Sequence, residues 1–154
     1  PSRQEKRLET DKLVQELAKY GLQNNQEIQK KLLVKVIKVK PADKHAYNNL
    51  GLLLSPKETV QVELQTGHRT FNSKELYLEA IKLDNKSALT YSNLGRVLSP
   101  EETVQVQLRT GSRTFNRKEL FLEAIRLDNN STDAYINLGS VLSPDEMVQV
   151  QLRT

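Results

Sequence analysis

The amino-acid sequence predicts a mainly α-helical protein, an α-solenoid of stacked helix pairs with a short β-hairpin inserted into each pair. Residues 67–110 and 111–154 are two copies of one 44-residue unit and agree at 32 positions. Residues 23–66 are a diverged third copy that keeps the segment Ser-Pro-x-Glu-Thr-Val-Gln-Val. A fixed period of this size is typical of repeat proteins, in which each unit buries its apolar face against its neighbours.

The repeat also predicts the domain organisation. The N-terminal region has two helical patterns, Leu13–Tyr20 and Ile28–Val39, joined by a predicted turn at Gly21–Asn25. We therefore predict one continuous solenoid with four segments: a helical lead-in at 1–22, the diverged repeat at 23–66, and two matched repeats at 67–110 and 111–154.

Each repeat begins with signals for two helices. In the last copy, Asn116 with Glu119 three residues later predicts a capping box at the start of the first helix. The turn formers Asp128–Asn130 end this helix, and Ser131 opens the next one. Gly139 lies within the second helix, where glycine costs about 1 kcal/mol relative to alanine. A glycine in this place predicts a close approach of another helix.

A β-hairpin is predicted after the two helices of each repeat, so that a repeat consists of helix, helix and hairpin. Val104, Val106 and Leu108 alternate with polar residues, which is the pattern of a strand with one buried face. A two-residue turn at Gly111–Ser112 would place Leu108 opposite Phe115. The arginines on these hairpins are predicted to be exposed, since charge on a strand edge blocks pairing with other chains.

The segment Met147–Arg153 repeats the first strand of this hairpin without a returning strand after it. Unpaired strand edges are templates for pairing with another chain. A head-to-tail contact that does not close produces a filament. Two explanations stay open: the chain is a piece of a longer array whose next residues would resemble Gly-Ser-Arg-Thr-Phe, or the open end is an assembly edge formed by Val148, Val150, Leu152 and Arg153.

Two sequence signatures recur in register along the chain. Lys118–Asp128 reads Lys-Glu-Leu-Phe-Leu-Glu-Ala-Ile-Arg-Leu-Asp, and Asp133–Gly139 reads Asp-Ala-Tyr-Ile-Asn-Leu-Gly. Together they resemble the tetratricopeptide repeat, where the second helix of one unit runs into the first helix of the next. The family period is about 34 residues. The additional residues of this chain fall where that family has a tight turn, and the hairpin occupies them.

The resemblance implies a solenoid that binds a peptide in a groove lined by the first helix of each pair. That family's first helix corresponds to the second helix of each 44-residue repeat described above. Asn49, Asn93 and Asn137 are equivalent residues of this helix, and the resemblance implies hydrogen bonds from them to a bound backbone. Arg96 is a candidate for contact with a partner's carboxylate, although Leu52 and Ser140 occupy the equivalent places. The alternative is that the asparagines only tie neighbouring helices together.

The charge distribution disfavours nucleic acid as a partner. Residues 1–66 carry 12 Lys and Arg against 8 Asp and Glu, whereas residues 67–154 carry 11 of each. An array that follows a phosphate backbone should be basic in every unit. The excess lies partly on a helix that we predict to be a solvated basic face, formed by Lys30, Lys31, Lys35, Lys38 and Lys40.

The sequence predicts a protein that is not an enzyme and that has no cofactor and no metal site. It has no cysteine, its two histidines His45 and His68 occupy non-equivalent places, and it has no glycine-rich phosphate loop or nucleophile constellation. No apolar run approaches the ~18 residues of a membrane span. The compartment is left open, but if the chain is extracellular, three residues in glycosylation sequons are candidate sugar sites: Asn85, Asn129 and Asn130.

These observations lead to three hypotheses about function. The first is a non-enzymatic scaffold that binds a protein or peptide partner along the groove. The second is a structural subunit of a self-assembling repeat filament, in which copies of the chain are the partners. The third is nucleic-acid binding, which the neutral repeats disfavour.

Overall fold

The structure, a computed structural model, describes residues 2–19 and 25–152. This part of the chain is mainly α-helical, with two small antiparallel hairpins. In chain order the elements are α1 (Arg3–Lys19), α2 (Gln26–Val39), α3 (Lys44–Leu53), β1 (Val60–Leu64), β2 (Gly67–Phe71), α4 (Ser73–Leu83), α5 (Ala88–Val97), β3 (Thr103–Leu108), β4 (Gly111–Asn116), α6 (Arg117–Leu127) and α7 (Thr132–Val141). Of these helices, none has the length and apolar character that a bilayer crossing requires.

The chain divides into two compact units, residues 1–76 and 77–154. The boundary falls within α4 and therefore not between two sequence repeats. Most of the predicted turn after α1, residues 21–24, lies outside the described residues, as does Arg153.

The helices begin where side-chain caps satisfy their first N–H groups. The predicted capping box of α6 is confirmed: the Glu119 N–H donates to Asn116 Oδ1 at 2.8 Å, and the Asn116 N–H donates to Glu119 Oε1 at 3.1 Å. Ser2 and Glu5 make the same reciprocal pair at the start of α1. This cap explains why α1 begins at Arg3, although the apolar pattern alone indicated a helix only from Leu13.

The hairpins form, but their register differs from the predicted one. β3 pairs with β4 so that Val104 lies opposite Phe115 and Leu108 lies opposite Gly111. The prediction that Leu108 lies opposite Phe115 is therefore wrong. The turn consists of Arg109–Thr110, and Gly111 follows it in the first position of β4 with φ +121°, a conformation that favours glycine.

The first unit packs α2, α3 and the β1–β2 hairpin around a small apolar core. Tyr47 and Phe71 are its largest buried side chains, and their rings meet edge to face with centroids 6.1 Å apart. The Ser73 hydroxyl donates to the Gly51 carbonyl at 3.0 Å, so the beginning of α4 is tied to the last turn of α3.

The second unit buries a larger core beneath the β3–β4 hairpin and helices α5 to α7. Tyr91 and Phe115 lie with ring centroids 6.0 Å apart. Phe121 packs on Gly95 so closely that a Cβ at that glycine would lie 2.6 Å from the ring. The close approach predicted at Gly139 is wrong for that residue, since a Cβ there would meet nothing within 4 Å; a close approach occurs instead at Gly95, the equivalent glycine of α5.

Candidate interaction surface

A Lys–Glu pair anchors the turn that follows α7, and an equivalent pair anchors the turn that follows α3. In the turn before residue 147, the Ser143 N–H donates to Glu146 Oε1 at 3.2 Å, and the Lys118 ammonium contacts the other oxygen of this carboxylate. The hydrogen bond from Lys118 is the main cause that lowers the pKa of Glu146. These contacts therefore fix the end of the turn, directly before residue 147.

The first unit contains the same anchor. Lys30 Nζ lies 2.8 Å from Glu58 Oε2, and the Ser55 N–H donates to Glu58 Oε1 at 3.0 Å. The hydrogen bond from Lys30 lowers the pKa of Glu58. Sequence analysis missed this anchor, but a signal for it was present, because the lysine and the glutamate recur 44 residues further along.

The predicted solvated basic face of α2 is only partly solvated. Lys30 is one exception, with 12% of its side chain exposed, and it also bonds Glu27. Lys38 forms an ion pair with Glu63 at 2.8 Å, although both side chains are about half exposed. Lys31 and Lys35 are exposed. The helix therefore uses part of its charge to hold the following turn and strand.

Residues 147–151 alternate between exposed and half-buried, like the first strand of a hairpin. Val148 and Val150 pack against the core of the second unit, while Met147 is 93% exposed and Leu152 is 57% exposed. The prediction of a strand here is wrong for residues 147–152, because no described strand pairs with them and a ladder needs two strands. The alternation of exposed and half-buried residues is therefore present without strand pairing.

Helix α7 presents an apolar face to solvent. Tyr135 is 40% exposed and Ile136 is 63% exposed, whereas Tyr91, the equivalent of Tyr135 in α5, is 1% exposed. Burial raises the pKa of Tyr91 to about 12. The additional Cβ of an alanine at Gly139 would meet nothing within 4 Å, in contrast with Gly95. We term the exposed surface formed by Tyr135 and Ile136 of α7 the open face.

The three predicted groove asparagines do not share one exposed surface. Asn49 is exposed and borders a pocket of about 350 Å³ between α2 and α3, whose other lining residues are mostly leucines. Asn93 is 3% exposed, and Asn137 is half-buried. Arg96 is exposed at the end of α5. A partner's backbone can therefore reach Asn49 more readily than Asn93.

The hairpin arginines contact aromatic rings, a role that sequence analysis missed. The guanidinium of Arg69 lies 4.3 Å from the centroid of the Phe71 ring, and Arg113 lies at the same distance over Phe115. Arg113 also approaches Glu123, with 3.8 Å between Nη1 and Oε2. The signal was the spacing Arg-Thr-Phe, which places both side chains on one face of a strand.

The sequon residues differ in how much their side chains are engaged. The Asn85 amide donates to the carbonyls of Ile81 at 2.7 Å and Gln107 at 3.3 Å, so an attached glycan would replace one of these donors. Asn129 is half-buried and Asn130 is exposed. Glycosylation stays a prediction, and Asn130 is the residue with the freest approach.

Among the described residues, no group of three His, Asp or Glu side chains is arranged to hold a metal ion. No protein-family model matches the chain, and a search of curated proteins found no significant relative. The resemblance to tetratricopeptide repeats therefore rests on the residues quoted above.

Proposed function

We propose that this chain is a non-enzymatic protein-interaction scaffold, an α-solenoid of tetratricopeptide-like helix pairs whose hairpins lengthen each unit. The observation that carries the proposal is the open face. Tyr135 and Ile136 are exposed side by side on α7, and tyrosine is among the residues that contribute most to protein interfaces.

Burial limits which of the predicted groove asparagines can form hydrogen bonds to a partner's backbone. Asn49, beside its leucine-lined pocket, and Asn137, half-buried on α7, are the asparagines that we assign to backbone contacts with a partner. Arg96 is a further exposed donor for an acidic group. Asn93 is assigned to packing, because it is 3% exposed.

The test compares partner capture by three forms of the chain. The double variant Tyr135→Ala/Ile136→Ser removes the exposed apolar groups, and serine is the residue at the equivalent position 92. The matched control is Leu89→Asp, which removes another exposed apolar side chain and introduces the residue found at position 133. We expect wild type and control to capture the same proteins from a lysate, and the double variant to lose them.

The proposal would be contradicted if all three forms captured the same proteins. The capture experiment is paired with light scattering of each purified form, so that association between copies of the chain is recognised separately from binding of another protein.

A structural subunit of a self-assembling filament is the second candidate function. The unpaired, alternating segment 147–152 supports it, since exposed strand edges pair with other chains. We expect wild type to grow into fibres with increasing concentration, seen by light scattering and negative-stain microscopy, if this function holds. Leu152→Lys should then block growth by placing a charge on the edge. A monomer at all concentrations would exclude this function.

A further inference from the structure

A polar pocket of about 520 Å³ lies in the second unit, between the β3–β4 hairpin, α6 and the segment 147–152. Gln149 and Gln151 of this segment line the pocket. The residues that alternate with them, Val148 and Val150, pack against the core instead. Ligand sites in proteins commonly have volumes of about 300–1,000 Å³. The pocket is therefore large enough for a side chain of another molecule together with its neighbours.

A largely covered carboxylate lies between the two arginines of the pocket. The Glu123 side chain is 11% exposed, and Arg126 Nε donates to its Oε1 at 3.1 Å and its Oε2 at 3.0 Å. Arg126 Nη2 donates to the same carboxylate. Arg113 approaches from the hairpin, with 3.8 Å between its Nη1 and Glu123 Oε2. The side chains of Arg126 and Arg113 are 44% and 53% exposed, so the pocket presents the guanidiniums more than the carboxylate.

The carboxylates of the pocket have partners within the chain. Both oxygens of Glu123 accept hydrogen bonds from Arg126. Glu119 Oε1 accepts the Asn116 N–H in the capping box of α6. Glu119 also lies in the first turn of this helix, where the helix dipole favours a negative charge. An approaching anion therefore meets carboxylates whose charge is already offset.

The hydrogen-bond donors of the pocket, in contrast, have capacity to spare. Within the described part of the chain, the Arg113 guanidinium makes no hydrogen bond, and neither do the side-chain amides of Gln149 and Gln151. Arg126 uses Nε and Nη2 on Glu123 and leaves Nη1 for another acceptor. Guanidinium groups bind carboxylates through strong charge-assisted hydrogen bonds. The pocket is therefore complementary to a negatively charged acceptor.

The charge balance and the apolar part of the lining narrow the class of ligand. Two arginines and two glutamates line the pocket, and the dipole of α6 offsets the charge of Glu119. This small positive balance suits a carboxylate better than a doubly charged phosphate. Leu108 and Leu122 also line the pocket and are half-buried. They provide a surface on which apolar side chains beside the carboxylate can pack.

We propose that this pocket binds a glutamate side chain of a partner polypeptide. The carboxylate of that glutamate accepts hydrogen bonds from Arg113 and Arg126, and apolar residues next to it in the partner pack on Leu108 and Leu122. The site goes beyond the proposed function, because neither residue of the open face lines the pocket.

The experiment titrates the ¹⁵N-labelled full chain with the synthetic peptide Ala-Leu-Glu-Leu-Ala, capped at both ends so that the glutamate carries its only carboxylate. We expect saturable shifts of the arginine Nε–H signals of Arg113 and Arg126. The peptide Ala-Leu-Gln-Leu-Ala should bind about ten-fold more weakly or worse, since it loses the charge-assisted hydrogen bonds. Acetate at the same concentration, a free carboxylate without flanking side chains, should leave both signals unmoved. No saturable shift with the first peptide, or equal shifts with the second peptide or with acetate, would overturn the proposal.

The sharpest variant of the chain is Gln149→Glu, which places a negative charge in the wall of the pocket. It should weaken binding of the glutamate peptide by about ten-fold or more. The matched control is Gln105→Glu, the same change at the equivalent residue of β3, which is exposed and does not line the pocket. This control should bind the peptide as wild type does, and both variants should melt near the wild-type temperature. Undiminished binding by Gln149→Glu would also overturn the proposal.

This failure can be told apart from failure of the proposed function. If the peptide does not bind but Tyr135→Ala/Ile136→Ser loses its captured partners, the glutamate site is wrong and the scaffold function stands. If the peptide binds as expected and the double variant captures the same proteins as wild type, the open face is wrong and the glutamate site stands.

Discussion

Helices α5 and α7 occupy equivalent places in successive repeats and share ten-residue length and the motif Asn-Leu-Gly, yet their surroundings differ. On α5, Tyr91 is covered by Phe115 and Gly95 by Phe121. On α7, Tyr135 is exposed and a Cβ at Gly139 would meet nothing. The Tyr and Gly that the two helices share are therefore covered on α5 by the strand and helix that follow it, and among the described residues no equivalent segment covers them on α7.

The largest expected effect comes from removing the aromatic side chain that covers Tyr91. We expect Phe115→Ala to lower the free energy of unfolding by about 3–5 kcal/mol, since it leaves a cavity in a buried core. Tyr135→Ala should cost about 1 kcal/mol or less, because that ring is partly in solvent. Urea unfolding followed by circular dichroism measures both. Similar losses in the two variants would show that Tyr135 is covered in solution.

The two glycines should respond to alanine with opposite signs. Gly95→Ala places a methyl group against the Phe121 ring, and overpacking of this kind costs about 1–3 kcal/mol. Gly139→Ala meets nothing and should raise stability by up to about 1 kcal/mol, the difference in helix propensity. Thermal melting of the two variants beside wild type gives the signs. A stabilising Gly95→Ala would mean that α5 and α6 are further apart than described.

The helix caps differ in strength as well. Asn116 makes a complete capping box for α6, whereas Ser131 caps α7 with a single contact of 3.4 Å between Oγ and the Ala134 nitrogen. We expect Asn116→Ala to cost about 1 kcal/mol and Ser131→Ala to cost less. Asn116→Asp is the control that should retain most of the stability. The outcome is read from the urea midpoint, and an equal cost in both alanine variants would contradict the comparison.

The smallest expected effect concerns the half-buried Lys118–Glu146 anchor before residue 147. The pKa of Glu146 in the folded chain is lowered, chiefly by Lys118, from an ordinary value of 4.5. Its contribution to stability is therefore fully present above this ordinary value and is lost as the pH falls through the lowered pKa. Melting temperatures measured across this acidic range should fall less steeply in Glu146→Gln than in wild type.

Lys118→Met should reduce the same dependence, since it removes the main cause of the shift in the pKa of Glu146. If both variants lost stability with pH as wild type does, other carboxylates would account for the acid sensitivity.

Local sequence accounts for the features that depend on neighbours along the chain. Asn116 and Glu119 predict the start of α6, and the turn formers after Leu127 predict its end, because capping and turn formation need only a few adjacent residues. The alternation of Val104 and Val106 predicts β3 for the same reason. Ser2 and Glu5 also have the spacing of a capping box and form one at the start of α1, although the apolar pattern indicated a helix only from Leu13.

The register of the hairpin, the Lys–Glu anchors and the exposure of equivalent residues depended on packing between distant segments. When the turn is formed by Arg109–Thr110, Phe115 lies opposite Val104 and its ring packs against Tyr91. The core therefore selects this turn from several that the local sequence permits. Asn93 and Asn137 are equivalent in sequence but differ in burial. A side chain's exposure is a property of everything packed around it, and one period of a repeat cannot specify which neighbours are present.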